Sequence, residues 1–307
     1  MFKNIDFNKA FKFVLIGYAV FFVIGIAFAF IWGGVNLSID FKGGTRISYS
    51  YVGEADFDSI EKKVEETINK DVIISENVGL AGDSKTLIVT LVGDESLSTE
   101  SQQKIEETLV KAYPDNKIAF EESKSVSPAL AGSFFLKCIV AVLIAGILVT
   151  VYVGIRFKKI GGVSAAVTAF AALFLDVFSA FFACTIFNLP IDMNFIAVIL
   201  TLLGYSLNDT IVIYDRIRED RGIYHNLPMG ELVNGAVNKV MIRTMVTTIT
   251  TFLAVVMIIV VAEFFGLSSL RSFAIPMAIG LISGCASSLF VSAPLWVIWK
   301  NKASKAK

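Results

Sequence analysis

Six mostly uncharged stretches, near 13–32, 134–155, 162–187, 193–214, 241–262 and 272–299, each reach the roughly 18 residues a helix needs to cross about 30 Å of hydrocarbon. Hydrocarbon offers no water to backbone N–H and C=O groups, so apolar stretches of this length must close their hydrogen bonds internally as helices. Composition agrees: 55% of the 307 residues are hydrophobic and 18% are charged, against roughly 25% charged in soluble domains. The expected class is a polytopic α-helical membrane protein with six transmembrane helices.

Basic residues give the orientation. Lys3, Lys9 and Lys12 precede the first span, Arg156, Lys158 and Lys159 follow the second, and Arg216, Arg218 and Arg221 follow the fourth. Lys300, Lys302, Lys305 and Lys307 close the chain, and the opposite connections carry no comparable cluster beside the membrane. Both termini are expected on the cytoplasmic side. The first span is too long for a signal-peptide core, lacks a clear small-residue cleavage site and ends Phe30-Ile31-Trp32, so it is expected to stay as an anchor. The expected division is 1–33 for the first helix and its cytoplasmic N-terminus, 34–130 for an extracytoplasmic domain, 131–300 for five membrane helices and 301–307 for a cytoplasmic tail.

The long outer segment reads as strand 45–52, helix 55–69, strand 72–78, strand 85–92, helix 98–113 and strand 117–123, with the β-branched runs Val72-Ile73-Ile74 and Thr86-Leu87-Ile88-Val89-Thr90 marking the middle strands. That βαββαβ order is the ferredoxin-like plan of an α+β domain. About ten basic against about eighteen acidic residues in this segment argue against nucleic acid or anionic lipid as a partner. It has no Cys and no His, and Glu61, Glu65 and Glu66 beside Lys62 and Lys63 read as a solvated helix face. The nearest thing to a nucleotide loop, Gly79 to Lys85-Thr86, has Ser84 where the phosphate-binding pattern needs Gly and leads into a strand. Energy for any work must then come from an ion gradient or a partner.

Candidate chemistry lies in the spans. Asp209, in Gly204-Tyr205-Ser206-Leu207-Asn208-Asp209-Thr210, is an acid deep in an apolar helix, and such residues are retained for function. Arg243, at the entrance to the fifth span, reaches a similar depth if the helices are neighbours; its other reading is a snorkelling cation. Facing each other, the two would form a proton-sensitive switch, because desolvation and the neighbouring cation pull the carboxyl's protonation in opposite directions. Asp176, mid-way along the third span, has three open readings: proton path, hydroxyl partner or packing anchor. Asn208 and the run Thr247, Thr248, Thr250 and Thr251 either guide water to the pair or glue helices together. Gly43-Gly44 is either a plain turn or a close-packed junction. Gly280 and Gly284 permit close helix approach, and Pro276 and Pro294 can kink the last span. Cys138, Cys184 and Cys285 read as packing or lipid-side residues, His225 as a solvated loop residue, and the charged run Asp215 to Arg221 as an exposed, self-paired helix end.

Three segments resemble the SecF side of the SecD/SecF family of protein-export membrane proteins: Ile39-Asp40-Phe41-Lys42-Gly43-Gly44-Thr45, Ser206-Leu207-Asn208-Asp209-Thr210, and Tyr214-Asp215-Arg216-Ile217-Arg218-Glu219. The resemblance spans nearly the whole chain. It implies Asp40, Gly43, Gly44, Asp215, Arg216 and Arg218 as structural motif positions, and a proton relay of Asp209 and Arg243, to which the polar residues read from the spans themselves add Asp176 and Asn208 as lesser candidates. It further implies a Sec translocase subunit that works with SecD and the SecYEG channel in the lipid bilayer of the cytoplasmic membrane. That subunit would use the proton motive force to help export unfolded preprotein, with no enzyme activity, cofactor or metal. The same likeness makes this half of a resistance-nodulation-division architecture. The rival functions are a homodimeric small-molecule or lipid exporter of that superfamily, for which about ninety outer residues leave little room for a substrate cleft, and a receptor or scaffold, which would leave Asp209 and Arg243 without purpose.

Overall fold

Hydrophobic length decides most of the architecture. The computed structural model describes residues 5–78, 85–91, 97–224 and 226–305; His225, the loop before Lys85, Lys3 and Lys307 lie outside that set. Among the described residues, six helical spans are long and apolar enough to cross a membrane. They are α1 (Phe7–Ile31), α5 (Pro128–Arg156), α6 (Gly162–Ile186), α7 (Met193–Ile223), α8 (Met229–Phe265) and a composite last span. The last span is α9 (Ser268–Ser287), a wide π turn (Ser288–Ser292) and α10 (Ala293–Lys305). That turn directly precedes Pro294, which has no N–H for the carbonyl one turn back and whose ring crowds it, so the register widens there.

Between α1 and α5 come a one-turn helix α2 (Ile39–Lys42), β1 (Gly44–Tyr51), α3 (Phe57–Ile68), β2 (Ile73–Val78), β3 (Lys85–Leu91), α4 (Thr99–Ala112) and β4 (Ala119–Val126). The strands form an antiparallel sheet in the order β2-β3-β1-β4, the ferredoxin-like arrangement expected from the βαββαβ pattern. Period-2 alternation puts Ile47, Tyr49, Tyr51, Leu87, Val89 and Leu91 on the face that packs against Ile60 and Val64 of α3 and Ile105 and Leu109 of α4. The other face turns Arg46, Ile73, Ser75, Ile88 and Thr90 toward the helix bundle across a cleft of about 470 Å³.

Three differences from the sequence pattern stand out. β4 runs to Val126 rather than stopping near 123, because β1 begins at Gly44 and pairs there with Val126; a bulge beside Ser48 and Tyr49 shifts the register farther along. α7 and α8 extend well beyond their apolar cores, to Ile223 and back to Met229, because polar faces outside hydrocarbon still close helical hydrogen bonds. α2 was not visible as a helix; Ser38 caps it and Gly43 ends it.

The sheet domain is pinned to the bundle. Ser38 N–H donates to the Ile191 carbonyl (3.0 Å) and Ile191 N–H to the Asn36 carbonyl (2.8 Å), so the chain leaving α1 pairs with the α6–α7 loop. Lys124 of β4 pairs with the buried carboxylate of Asp40 at 2.6 Å. Gly43 (φ +82°) packs where a side chain would overlap Pro128, and Gly44 (φ +127°) where it would overlap the Leu91 carbonyl oxygen. The glycine pair is therefore a close-packed junction as well as a turn. In contrast, Gly33 (φ +73°) has open space around it.

This contrast sets an expected outcome. Gly44→Ala combines an unfavourable φ with overpacking and is expected to cost about 3 kcal/mol, whereas Gly33→Ala pays only the φ penalty of about 1 kcal/mol. Thermal unfolding of the purified protein in detergent, following sheet-domain tryptic protection, ranks the two; equal shifts would remove the close-packing argument.

Candidate functional site

The centre of the bundle is α6, which packs against α1, α5, α7 and α9. Where α7 and the last span cross it, small residues of the last span face α7 at four-residue steps: Gly280 against Leu202, Gly284 against Ser206, Ser288 against Thr210 and Ser292 against Tyr214. A Cβ at Gly280 would overlap the Leu202 side chain, so the backbones meet only because that position is glycine.

This close approach surrounds Asp176 with hydroxyls. The carboxyl is 1% exposed and accepts from Ser206 Oγ (2.6 Å), Ser283 Oγ (2.7 Å) and Ser287 Oγ (2.9 Å). Tyr18 of α1 reaches the same cluster, with its hydroxyl 2.9 Å from the Ser283 carbonyl and 3.0 Å from Ser283 Oγ. Farther along the seam, Thr210 Oγ1 and Ser288 Oγ lie 3.1 Å apart, and Thr168 Oγ1 and the Tyr214 hydroxyl 2.7 Å apart. Of the three readings left open for Asp176, hydroxyl partnership is the one its contacts display.

Asp209 has the opposite environment. It sits about midway along α7 and is 3% exposed, yet its Oδ2 has no hydrogen-bond partner among the described residues. Thr244 Oγ1 of α8 is likewise buried and unpartnered. Arg243 lies within electrostatic reach of Asp209 but makes no direct ion pair with it, and its side chain is exposed on the α8 surface. Helices α7 and α8 are neighbours, while a closed carboxylate–guanidinium contact is not formed. Asn208 points to the bundle exterior and is not brought to the carboxyl. Thr247, Thr250 and Thr251 bond back to carbonyls of their own helix, with one crossing contact from the Tyr205 hydroxyl to Thr251 at 3.4 Å. The thiol of Cys285 on α9 lies within electrostatic reach of both Asp176 and Asp209, so the two carboxyls belong to one polar region.

The charged run at the far end of α7 does more than pair with itself. Asp215 accepts from Arg156 of α5 (3.2 Å) as well as Arg218, and Asp220, 2% exposed, accepts from Lys239 of α8 (2.9 Å) as well as Arg216 (3.0 Å). These contacts tie α5, α7 and α8 together, which spacing along one helix cannot reveal. At the sheet end, Asp192 caps α7 through the Phe195 N–H (3.1 Å) and accepts from Ser272 Oγ (3.1 Å) at the start of α9. Burial pushes its carboxyl above the usual range, against the lowering by these hydrogen bonds. Its Asp-x-Asn spacing before an apolar run is a helix-cap signal that the sequence did carry. Cys138 and Cys184 are buried in the core, consistent with packing residues. Among the described residues no group of three or more His, Cys, Asp or Glu has metal-holding geometry.

Comparison with known proteins fits this arrangement. Residues 105–302 match the family described as protein export membrane protein SecD/SecF, C-terminal, and residues 33–53 match the SecD/SecF GG motif, which contains Gly43 and Gly44. The chain is 33% identical to the protein translocase subunit SecF of Alicyclobacillus acidocaldarius over 89% of this chain and 85% of that one. It is 32% identical to the SecF of Petrotoga mobilis over 99% of both. With the subunit SecDF of Bacillus subtilis the identity is 33% over 99% of this chain but only 39% of the relative. The crystal structure of SecDF from Thermus thermophilus superposes with a TM-score of 0.81 at 28% identity, covering 97% of this chain and 39% of that one. The chain thus spans about two fifths of the SecDF relatives.

The ion network yields a graded expectation. Asp220→Asn strips a buried acceptor shared by two cations and is expected to cost about 2 kcal/mol, while Asp215→Asn, at an acid 30% exposed, costs less than about 1 kcal/mol. Midpoints of thermal unfolding in detergent measure the order, and a larger loss at Asp215 would contradict it.

Proposed function

The chain belongs to the SecD/SecF protein-export membrane family, and from that premise we propose that it is the SecF-type accessory subunit of a Sec translocase, driven by the proton motive force and paired with a SecD half. The observation that carries the reading is Asp209: a buried carboxylate oxygen without a partner, within electrostatic reach of Arg243 on the neighbouring helix. An uncompensated carboxylate in hydrocarbon costs several kcal/mol, so the site favours a proton, a closer Arg243 or entering water, and these alternatives are the states of a switch.

Arg243 faces outward on α8 beside a stripe of exposed apolar residues, Ile242, Val246, Ile249, Leu253 and Met257. That stripe supports a second helical half seated there, as relatives carrying SecD and SecF in one chain contain. With the half in place Arg243 is desolvated and drawn toward Asp209; protonation of Asp209 releases it. Helix α7, fixed to α5 and α8 at one end and to α9 through Asp192 at the other, carries the displacement to the loop that holds the sheet domain. Positive-inside charge supports cytoplasmic termini in the cytoplasmic membrane, with the sheet domain outside, where it assists unfolded preprotein leaving SecYEG. Asp40, Gly43 and Gly44 act as the junction, and Asp215, Arg216 and Arg218 as the helix lock.

Export of a secretory protein into vesicles containing this chain, SecD and the channel, started without and then given a proton gradient, tests the reading. Asp209→Asn is expected to remove the gradient-dependent fraction with assembly and abundance unchanged, and Arg243→Met to reduce it at least tenfold. Full gradient-dependent export by Asp209→Asn would return that residue to a packing role.

A further inference from the structure

Asp176 is the better satisfied of the two membrane carboxyls, and how it is satisfied points to a second site. Among the described residues it forms no ion pair, so in hydrocarbon its three hydroxyl donors soften a negative charge without cancelling it. The groups around it are few. Tyr18 faces it from α1, Cys285 from α9, and Asp209 of α7 shares the reach of Cys285. Cys138 of α5 packs in the cluster holding Leu173 and Ala180, and Lys300 of α10 lies at the far end of α6 beside Gly161. None is a cation next to the carboxyl.

The two carboxyl oxygens are unequal. Oδ2 accepts from both Ser206 and Ser287, while Oδ1 accepts from Ser283 alone. A proton therefore fits on Oδ1, and the same heavy atoms accommodate both forms. With the carboxylate, Ser283 Oγ–H donates to Oδ1 and the Tyr18 hydroxyl donates to the Ser283 carbonyl. With the acid, Oδ1–H donates to Ser283 Oγ, the Ser283 hydrogen turns to the Tyr18 oxygen 3.0 Å away, and Tyr18 still donates to the Ser283 carbonyl. One proton is added, one hydroxyl turns, and every hydrogen keeps an acceptor. A sodium ion fits less well, because ligating it would require the three serine hydroxyls to turn their hydrogens away from the carboxyl, whereas a proton turns one.

We propose that Asp176 is a second proton-binding site of the bundle, and that loading it turns the Ser283 hydroxyl onto Tyr18, so that the proton is registered at α1. Helix α1 leads directly into the Asn36–Ser38 stalk and the glycine junction, which makes Tyr18 the point where the bundle reports to the sheet domain. The role in transport rests on the proton-driven reading above.

Infrared difference spectra of the chain assembled with SecD in lipid vesicles, taken across a pH titration in potassium and in sodium buffers, test this. A carboxylic-acid C=O band is expected that is absent in Asp176→Asn, present in Asp209→Asn, and accompanied by a tyrosine band that vanishes in Tyr18→Phe. Ser283→Ala is expected to shift the carboxyl band and uncouple it from the tyrosine band. Absence of an Asp176-dependent band over the whole range in which the protein stays folded overturns the proposal, as does a tyrosine band unmoved by the titration or a band abolished by sodium at constant pH. If Asp176→Asn fails to fold, Tyr18→Phe decides alone through the tyrosine band. Loss of the Asp176 signal with export still lost in Asp209→Asn sinks only this inference. An intact Asp176–Tyr18 signal with gradient-driven export retained in Asp209→Asn sinks the Asp209 switch instead.

Discussion

Hydrocarbon supplies no hydrogen bonds, and the whole bundle is arranged around that lack. A serine or threonine hydroxyl in a membrane core costs least where another polar atom lies within about 3 Å. The α7–α9 seam meets this condition by bringing backbones together: Gly280 and Gly284 remove the Cβ atoms that would hold the helices apart, and Ser206, Ser283, Ser287, Ser288 and Thr210 then find one another or Asp176. Close packing and polar satisfaction are one event here. A larger residue at Gly280 or Gly284 would separate donors from acceptors as well as create a clash.

The same economy shapes the connection to the sheet domain. Two chain crossings join it to the bundle, one after α1 and one before α5, and Gly43 packs the first against Pro128 of the second. Asp40 with Lys124 and Asn36 with Ile191 complete the joint, while Asn77 donates to the Gly266 carbonyl from the sheet's far edge. Motion of the α6–α7 loop therefore reaches the domain through short, mostly backbone contacts rather than through a flexible tether, which is the mechanical requirement for helix rearrangement to do work outside the membrane.

Much of this was legible because it rests on long, local patterns. Span lengths, the βαββαβ order and the basic clusters each involve many residues that point one way, and the fold follows from them, while the family resemblance rests on three short segments around Gly43-Gly44, Asp209 and Asp215-Arg216. The site was legible only in part. Asp209 and Asp176 stand out because any acid in such a stretch does, but nothing in the sequence says that one is ringed by hydroxyls and the other is not. That difference depends on which residues two helices bring opposite each other. The Ser206–Ser283–Ser287 triad is spread over 82 positions, and single serines in apolar helices are too common to signal a cluster. The cross-helix pairs Arg156–Asp215 and Lys239–Asp220 were hidden for the same reason. Asn208 shows the converse: adjacency in sequence turns a side chain about 100° around a helix, so this neighbour of Asp209 in the chain is exposed where Asp209 is buried.

Two carboxyls with opposite surroundings in one region make a functional division of labour physically reasonable. A group saturated with donors changes state with small rearrangement and holds its neighbours in place in either form, which suits it to storing and reporting a proton. A group with an orphaned oxygen must recruit a proton, a cation or water, and each choice draws a different neighbour inward, which suits it to moving helices. Asp176 is held by serines of α7 and α9 and reaches α1 through Ser283 and Tyr18, whereas Asp209 lies across from α8, whose outward side chains include Arg243. The hydroxyl-ringed carboxyl thus sits among the packed helices at the centre of the bundle, and the one with an orphaned oxygen sits beside a helix that carries an exposed cation.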